Sequence, residues 1–274
     1  KTLGRNGRNK ILNHHVVEKA GPEIADIITK IADRKPAVSI IVPNYNYGKY
    51  LRKRLDTILN QTFQDFEVIY LDDASTDESG LIIKEYENHR NFKIIENKTN
   101  SGSVFKQWVK GISEAQADII WIAEADDLCE YTFLEKMLPC FNDLDVSLAY
   151  CNSYGIDEEG GIINGFTYND TWYKDISEIK WSTDYTISGK EEVNQAFAIK
   201  NILPNVSAAL FRKPDISDIK QNITGYRCGG DWFFYLNIIK NGSISFVSEK
   251  LNFHRRHEQS YVAVSAKSAD HTIP

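Results

Sequence analysis

Between Val38 and Ala123 the chain alternates short β-branched apolar runs with segments whose apolar residues recur every three or four positions. A short apolar run without helix length reads as a strand buried on both faces, and a three-to-four spacing as an amphipathic helix. The runs Val38 to Val42, Phe66 to Leu71, Phe92 to Ile95 and Asp118 to Ala123 are predicted strands. Tyr50, Leu51, Leu55, Ile58 and Leu59 mark one intervening helix, and Val104, Phe105, Trp108, Val109 and Ile112 another. Between them, Ser75-Thr76-Asp77-Glu78 has capping-box spacing and is expected to open a helix carrying Leu81, Ile82 and Tyr86. Such alternation predicts an α/β fold with a Rossmann-like, mostly parallel central sheet, right-handed crossovers and flanking helices.

After Tyr131 the regularity loosens. Phe133 to Leu138, Glu191 to Ile199 and Asp231 to Ile239 read as helices. Ser147 to Cys151, Val206 to Phe211, Ile244 to Val247 and Leu251 to Phe253 read as strands. A polar, aromatic stretch runs from Gly155 to Tyr185; its Tyr168, Trp172, Tyr173, Trp181 and Tyr185 suit stacking on a sugar, or core or docking surface. Ahead of the first strand, Ile24, Ile27, Ile28 and Ile31 share a helical stripe after Gly21-Pro22. The expected organisation is a helical linker or docking extension over 1–36, a main domain over 37–262 and a tail over 263–274. Within the main domain, 37–130 and 131–262 form two halves.

A net charge of −6 argues against a basic nucleic-acid-binding surface. No apolar run approaches the about 20 residues that span a bilayer, and no signal-peptide core begins the chain. Cys129, Cys140, Cys151 and Cys228 lack C-x-x-C spacing, which disfavours a zinc knuckle or redox pair. Reduced thiols in a cytoplasmic protein are expected. The chain opens without methionine and stops after Thr272-Ile273-Pro274, so a piece of a longer, multidomain protein is expected.

The chemistry gathers where strands end. Ile119-Ile120-Trp121-Ile122-Ala123 runs straight into Glu124-Ala125-Asp126-Asp127. Ligand sites of open α/β sheets lie just beyond such ends, and three mutually repelling carboxylates call for a cation that holds a phosphorylated ligand. The plainer reading is a loop whose acids cap the next helix, and Asp127 alone fits it. The first strand ends at Pro43, with Tyr45 able to stack on a base, though a lone loop aromatic is ordinary. The second ends in Asp72-Asp73, suited to a base or ribose. Asp77 fits no more than a helix amino terminus. Gly102 permits close backbone approach, and Lys106 lies within reach of a base or phosphate unless it is merely solvated.

Val38-Ser39-Ile40-Ile41-Val42-Pro43-Asn44-Tyr45-Asn46, Leu71-Asp72-Asp73-Ala74-Ser75-Thr76-Asp77, Asn100-Ser101-Gly102-Ser103 and Glu124-Ala125-Asp126-Asp127 occur in that order. Together they resemble the signature of family 2 glycosyltransferases of GT-A fold, over roughly residues 37 to 262. The resemblance implies a nucleoside-diphosphate sugar donor, a divalent metal (Mg²⁺ or Mn²⁺) and inversion at the anomeric carbon. By position, Pro43, Tyr45 and Asp73 would line the nucleoside pocket with Gly102 and Lys106 beside them. Glu124-Ala125-Asp126 stands in place of the family's Asp-x-Asp motif, with Asp126 the metal ligand and Glu124 facing ribose or sugar. Glutamate in the first place departs from that motif.

Inversion requires a base on the face opposite the leaving group. Gly229-Gly230-Asp231-Trp232 resembles the family's acidic acceptor-site motif, with glycine where glutamate is commoner; Asp231 would be the base, and an N-cap is the plainer reading. Gly230, Trp232 and Asn205, in Asn201-Ile202-Leu203-Pro204-Asn205, would border the acceptor. In His254-Arg255-Arg256-His257 the later histidine, His257, is the expected third element of the metal site, and an arginine would clamp the diphosphate. The implied function is glycosyl transfer from a UDP or dTDP sugar to a saccharide or lipid-linked saccharide. Its setting would be bacterial surface polysaccharide synthesis, in the cytoplasm or at the inner face of the membrane. Two alternatives remain: a nucleotidyltransferase, disfavoured by the lack of a glycine-rich basic loop after the first strand, and a non-catalytic sugar-binding or docking module.

Overall fold

The structure, a computed structural model, describes Pro22 and residues 34–89, 91–226 and 229–257. The helix expected over Ile24 to Ile31, the tail after 262 and Cys228 lie outside the described residues. The chain divides into two compact units, Lys1–Pro36 and Ala37–Pro274.

In the second unit the expected alternation forms. β1 (Val38–Asn44), α1 (Gly48–Leu59), β2 (Phe66–Asp72), α2 (Ser79–Ile83), β3 (Phe92–Glu96), α3 (Val104–Glu114) and β4 (Ile119–Ile122) follow in order. Next come β5 (Leu128–Cys129), α4 (Phe133–Met137), β6 (Val146–Ile156), β7 (Tyr185–Ser188) and α5 (Gly189–Glu192). β8 (Ala209–Arg212), α6 (Ser217–Ile223), α7 (Gly230–Ile239) and β9 (Ser243–Arg255) complete the unit. The sheet runs β3-β2-β1-β4-β8-β6-β9-β5, with β7 also on β9. β3, β2, β1 and β4 pair in parallel, as do β6 and β9; β8, β5 and β7 run antiparallel to their neighbours. Six strands therefore point one way, and their carboxyl ends share one edge.

Strand alternation feeds two apolar layers. Ile41, Ile69, Ile120 and Ile122 pack with Phe105, Trp108 and Ile112 of α3 and Phe234, Tyr235 and Ile239 of α7. Ile40, Val42, Val68 and Trp121 pack with Leu51, Leu55 and Ile58 of α1 and Phe133 and Leu134 of α4. Burying one such side chain contributes about 1.5–3 kcal/mol, which is why the two-faced strands fix the sandwich.

Several local expectations are corrected. Ser75 does not cap α2: its Oγ accepts from Asn44 Nδ2 (3.1 Å) and the Asn46 N–H (3.0 Å), and Glu78 occupies the capping position without a side-chain bond. Asp77 serves the helix start through the Ser79 N–H (3.0 Å), and its other oxygen takes the Gly48 N–H (2.8 Å). The turn's hydroxyl and carboxylate are committed to joining two loops across the sheet edge. Val206–Ala208 is a 3₁₀ turn before β8. The two short strands near the end are one, β9, whose register on β6 shifts past Cys151 and Asn152. β5, β7 and α6 had no periodic signal strong enough to mark them. Of the aromatic stretch, Tyr168, Tyr173 and Trp181 are core, whereas Trp172 stays 41% exposed.

Cys129, Cys140 and Cys151 are free thiols. Among the described residues no helix is long and apolar enough to cross a membrane.

Candidate active site

β4 is buried along its whole length and delivers the acidic cluster to the shared carboxyl edge. Glu124 accepts the Trp108 indole N–H from α3 (2.9 Å), and its backbone N–H donates to Ser207 Oγ (3.0 Å). Burial first, then the charge of Asp126, pushes its carboxyl up to about 8 against the Trp108 bond and the Arg54 charge. Ala125 is fully buried. Asp127 accepts from Asn205 Nδ2 (2.5 Å), Ser207 Oγ (2.6 Å) and the Arg255 N–H (2.9 Å). Burial and then Asp126 push it up to about 7. No helix begins at Asp127, since the chain turns into β5; this acid ties three segments together and is no cap.

Asp126 is half-buried. Its Oδ2 lies 3.0 Å from His257 Nε2, and its carbonyl accepts from Arg255 Nε (2.6 Å). The His257 ring meets Tyr47 edge-on at 5.7 Å and Tyr50 at 5.6 Å, and its buried Nδ1 has no partner among the described residues. A carboxylate and an imidazole nitrogen converging beside an orphaned ring nitrogen are donors that a divalent cation accepts. No third His, Cys, Asp or Glu joins them at ligand spacing among the described residues, so other ligands would be substrate or solvent oxygens. The Arg255 guanidinium is committed to backbone carbonyls and is not the expected diphosphate clamp. It is held by the carbonyls of Asp157 (2.7 Å) and Glu158 (2.8 Å) and lies over Tyr50 at 4.5 Å. Arg256 remains exposed, above Phe166. His254 is hydrogen-bonded to the Tyr168 hydroxyl and pushed down to about 4 by burial.

The neighbouring strand ends carry the other expected residues. Pro43 is buried at the tip of β1, and Tyr45 projects beyond it, 47% exposed. Asp73 accepts from Asn97 Nδ2 (2.6 Å), the Ser101 N–H (2.9 Å) and hydroxyl (2.8 Å), and Gln107 Nε2 (2.8 Å). It thereby pins the loop after β3 to the end of β2. Gly102 in that loop has φ +69°, open to glycine at little cost. Lys106 donates to the Ser101 carbonyl (3.0 Å).

Asp231 arrives on α7. Gly229, at φ +71°, turns the chain into the helix, and a Cβ on Gly230 would sit 2.6 Å from the Phe105 ring. The two glycines thus bring the helix start close against α3. Phe234 packs on Trp108 at 5.7 Å, and Trp108 holds Glu124. Asp231 Oδ2 accepts from Asn201 Nδ2 (2.8 Å); burial raises its carboxyl above the ordinary range, opposed by the Trp232 N–H and Asn201. The Trp232 indole N–H is buried without a partner among the described residues. Asn205 holds Asp127 and accepts from Asn252 Nδ2 (2.9 Å). Residues 201–207 therefore bond both the acidic cluster and Asp231.

Sequence reasoning missed Trp108, Ser207 and Arg54. Arg54 is fully buried above Trp121 at 5.0 Å, and none of its guanidinium nitrogens has a hydrogen-bond partner among the described residues. Its signal was available: a cation on the apolar stripe of α1, three residues after Leu51.

Residues 39–214 match the family described as "Glycosyl transferase family 2". Glycosyltransferase GlyG of Streptococcus pneumoniae is 34% identical over 124 residues, 45% of this chain and 41% of that protein. Chondroitin synthase of Escherichia coli is 34% identical over 146 residues, 49% of this chain and 20% of that protein. The chain thus spans less than half the length of either relative. Residues 1–349 of TarS from S. aureus, in complex with UDP-GlcNAc, superpose with a TM-score of 0.64 at 22% identity, covering 84% of this chain and 61% of that one. The mannosyltransferase PcManGT from Pyrobaculum calidifontis, with GDP-Man and Mn²⁺, gives 0.58 at 16% identity, covering 87% and 62%. The fold is accordingly GT-A.

Proposed function

Because the chain belongs to glycosyl transferase family 2, we propose that it moves a sugar from a nucleoside-diphosphate donor to an acceptor hydroxyl with inversion. The observation that carries this reading is the segment 201–207, which bonds Asp127 and Glu124 on one side and Asp231 on the other. It spans a place for a phosphorylated donor and a place for a base. Pro43, Tyr45 and Asp73, with Gly102 and Lys106, border the nucleoside; Glu124 and Ala125 face the sugar. Residues 37–130 hold the donor and 131–262 the acceptor, bordered by Asn205, Gly230 and Trp232.

Asp231 takes the proton of the acceptor hydroxyl. The acceptor oxygen forms its bond to the anomeric carbon as the bond to the diphosphate oxygen breaks, the electron pair leaving with the nucleoside diphosphate. A carboxyl raised by burial is a stronger base than a solvated aspartate, which suits proton abstraction. Asp126 and His257 would hold Mg²⁺ or Mn²⁺. When bound, that ion neutralises charge on the diphosphate. UDP or dTDP is the expected nucleotide. UDP-GlcNAc bound to TarS favours uridine. The setting is bacterial surface polysaccharide synthesis, within a longer multidomain protein working in the cytoplasm or at the inner face of the membrane.

The test is a screen of UDP, dTDP and GDP sugars against saccharide acceptors, with EDTA and Asp231→Asn as controls. Release of nucleoside diphosphate, abolished by both controls, is expected. Full activity in either control would sink the mechanism, and release of pyrophosphate would point to nucleotidyl transfer.

A further inference from the structure

Asn201 bonds in two directions. Its side-chain amide donates to Asp231 Oδ2 (2.8 Å), and its backbone carbonyl accepts the indole N–H of Trp172 (2.9 Å). One residue therefore joins Asp231 to an aromatic side chain from the segment between β6 and β7. Trp172 differs from Tyr168, Tyr173 and Trp181 of that segment, which are buried to within 2%. It stays 41% exposed although its N–H is satisfied. The Lys200 ammonium lies over its ring at 5.0 Å and is itself paired with Asp175 (2.5 Å). The indole is thus fixed at its edge by Asn201 and approached over its ring by a paired cation, while the residue as a whole stays exposed. A large aromatic surface held rigid without being buried suits an apolar ligand face that arrives from outside. Pyranose rings present such a face, an array of C–H bonds with hydroxyls projecting around its rim.

Resting on the reading of Asp231 as the base, we propose that Trp172 is a platform for an acceptor pyranose, with Asn201 holding platform and base in register. Stacking of the sugar on the indole leaves its rim hydroxyls free to point toward Asp231. Asn201 acts as a positioning residue: its amide nitrogen bonds Asp231, its carbonyl bonds Trp172, and its side-chain oxygen, which accepts the Leu203 N–H (3.2 Å), anchors it to its own loop. The platform recognises the C–H face of a sugar, so the ligand class is a neutral or lightly substituted pyranoside.

The test is saturation-transfer NMR on the full chain with methyl β-glucoside, methyl β-galactoside and methyl N-acetyl-β-glucosaminide. The thermal shift given by UDP with Mn²⁺ is measured in parallel. At least one glycoside is expected to receive saturation at its ring protons. The signal should fall about tenfold in Trp172→Ala and stay within about threefold in Trp172→Phe, which keeps an aromatic face. Asn201→Leu should weaken the glycoside signal as well, with the UDP shift unchanged in all three variants. A signal undiminished in Trp172→Ala overturns the proposal. So does the absence of any glycoside signal when UDP does raise the melting temperature, or a change in oligomeric state on Trp172→Ala with sugar binding intact. A Trp172-dependent glycoside signal without any UDP shift would keep the platform and defeat the donor reading. Loss of both would defeat both.

Discussion

Two aspartates stand at the same edge of the sheet in opposite circumstances. Asp73, after β2, accepts four hydrogen bonds from three residues, Asn97 and Ser101 of the loop after β3 and Gln107 of α3. Asp231, on α7, accepts one side-chain bond, from Asn201, among partially buried aromatics. A carboxylate saturated with donors is held in place and holds its neighbours. One that is desolvated and sparsely bonded keeps its affinity for a proton. The region around Asp73 is thus built for position, and the role proposed for Asp231 rests on the opposite arrangement.

The contrast breaks most sharply at Asp231. Asp231→Asn is expected to lower transfer about 10²–10⁴-fold while the thermal shift given by the donor nucleotide persists; equal loss of both would make the residue structural. In the acidic cluster, Asp126→Ala or EDTA should cost at least about 100-fold in transfer. Asp126→Ala should also remove the Mn²⁺-dependent part of the nucleotide shift, which titration against Mn²⁺ checks. At Asp73 stability should suffer as well. Asp73→Ala strands several donors in a site that is 4% exposed, a loss of about 2–4 kcal/mol by urea unfolding, with weaker nucleotide binding.

The smallest effect is a matter of pH. Burial raises the carboxyl of Asp231 in the fold above its unfolded value near about 4. The folded state therefore keeps this proton longer than the unfolded chain does. The associated stability is fully present below the unfolded value and is lost as pH rises through the folded one. On the role proposed for Asp231, transfer should run the other way, rising over that range as its carboxylate forms. Unfolding curves across the acid range should show this slope in the wild type and not in Asp231→Asn.

Much of the parallel region was legible because Pro43, Tyr45, Asp73, Glu124 and Asp126 lie one to four positions beyond apolar runs that announce strands. Val38 to Val42 leads to Pro43 and Tyr45, Phe66 to Leu71 leads to Asp73, and Ile119 to Ile122 leads to Glu124 and Asp126. Capping arguments fared worse. Ser75 had the right spacing and found better partners in Asn44 and Asn46, and Asp127 had a plausible helix after it yet bonds Asn205, Ser207 and Arg255. Both are polar groups whose partners come from distant segments, and spacing along the chain carries no information about those.

The second region shows the same limit. That β6 and β9 run in the same direction as β4 could not be read from their patterns. Yet that direction places the end of β9, and with it His257, beside Asp126. Likewise Asn201 joins Asp231 to Trp172 only because the loop before β8 passes between the two. By itself the sequence determined the alternating fold and the motifs at the parallel strand ends, since local periodicity and strand direction suffice to place them. Tertiary structure alone decided that Arg255 grips backbone carbonyls and that Asp127 is a strut. Those outcomes depend on which buried polar groups find each other across 78 to 129 residues, where the cost of leaving any unpaired selects the arrangement.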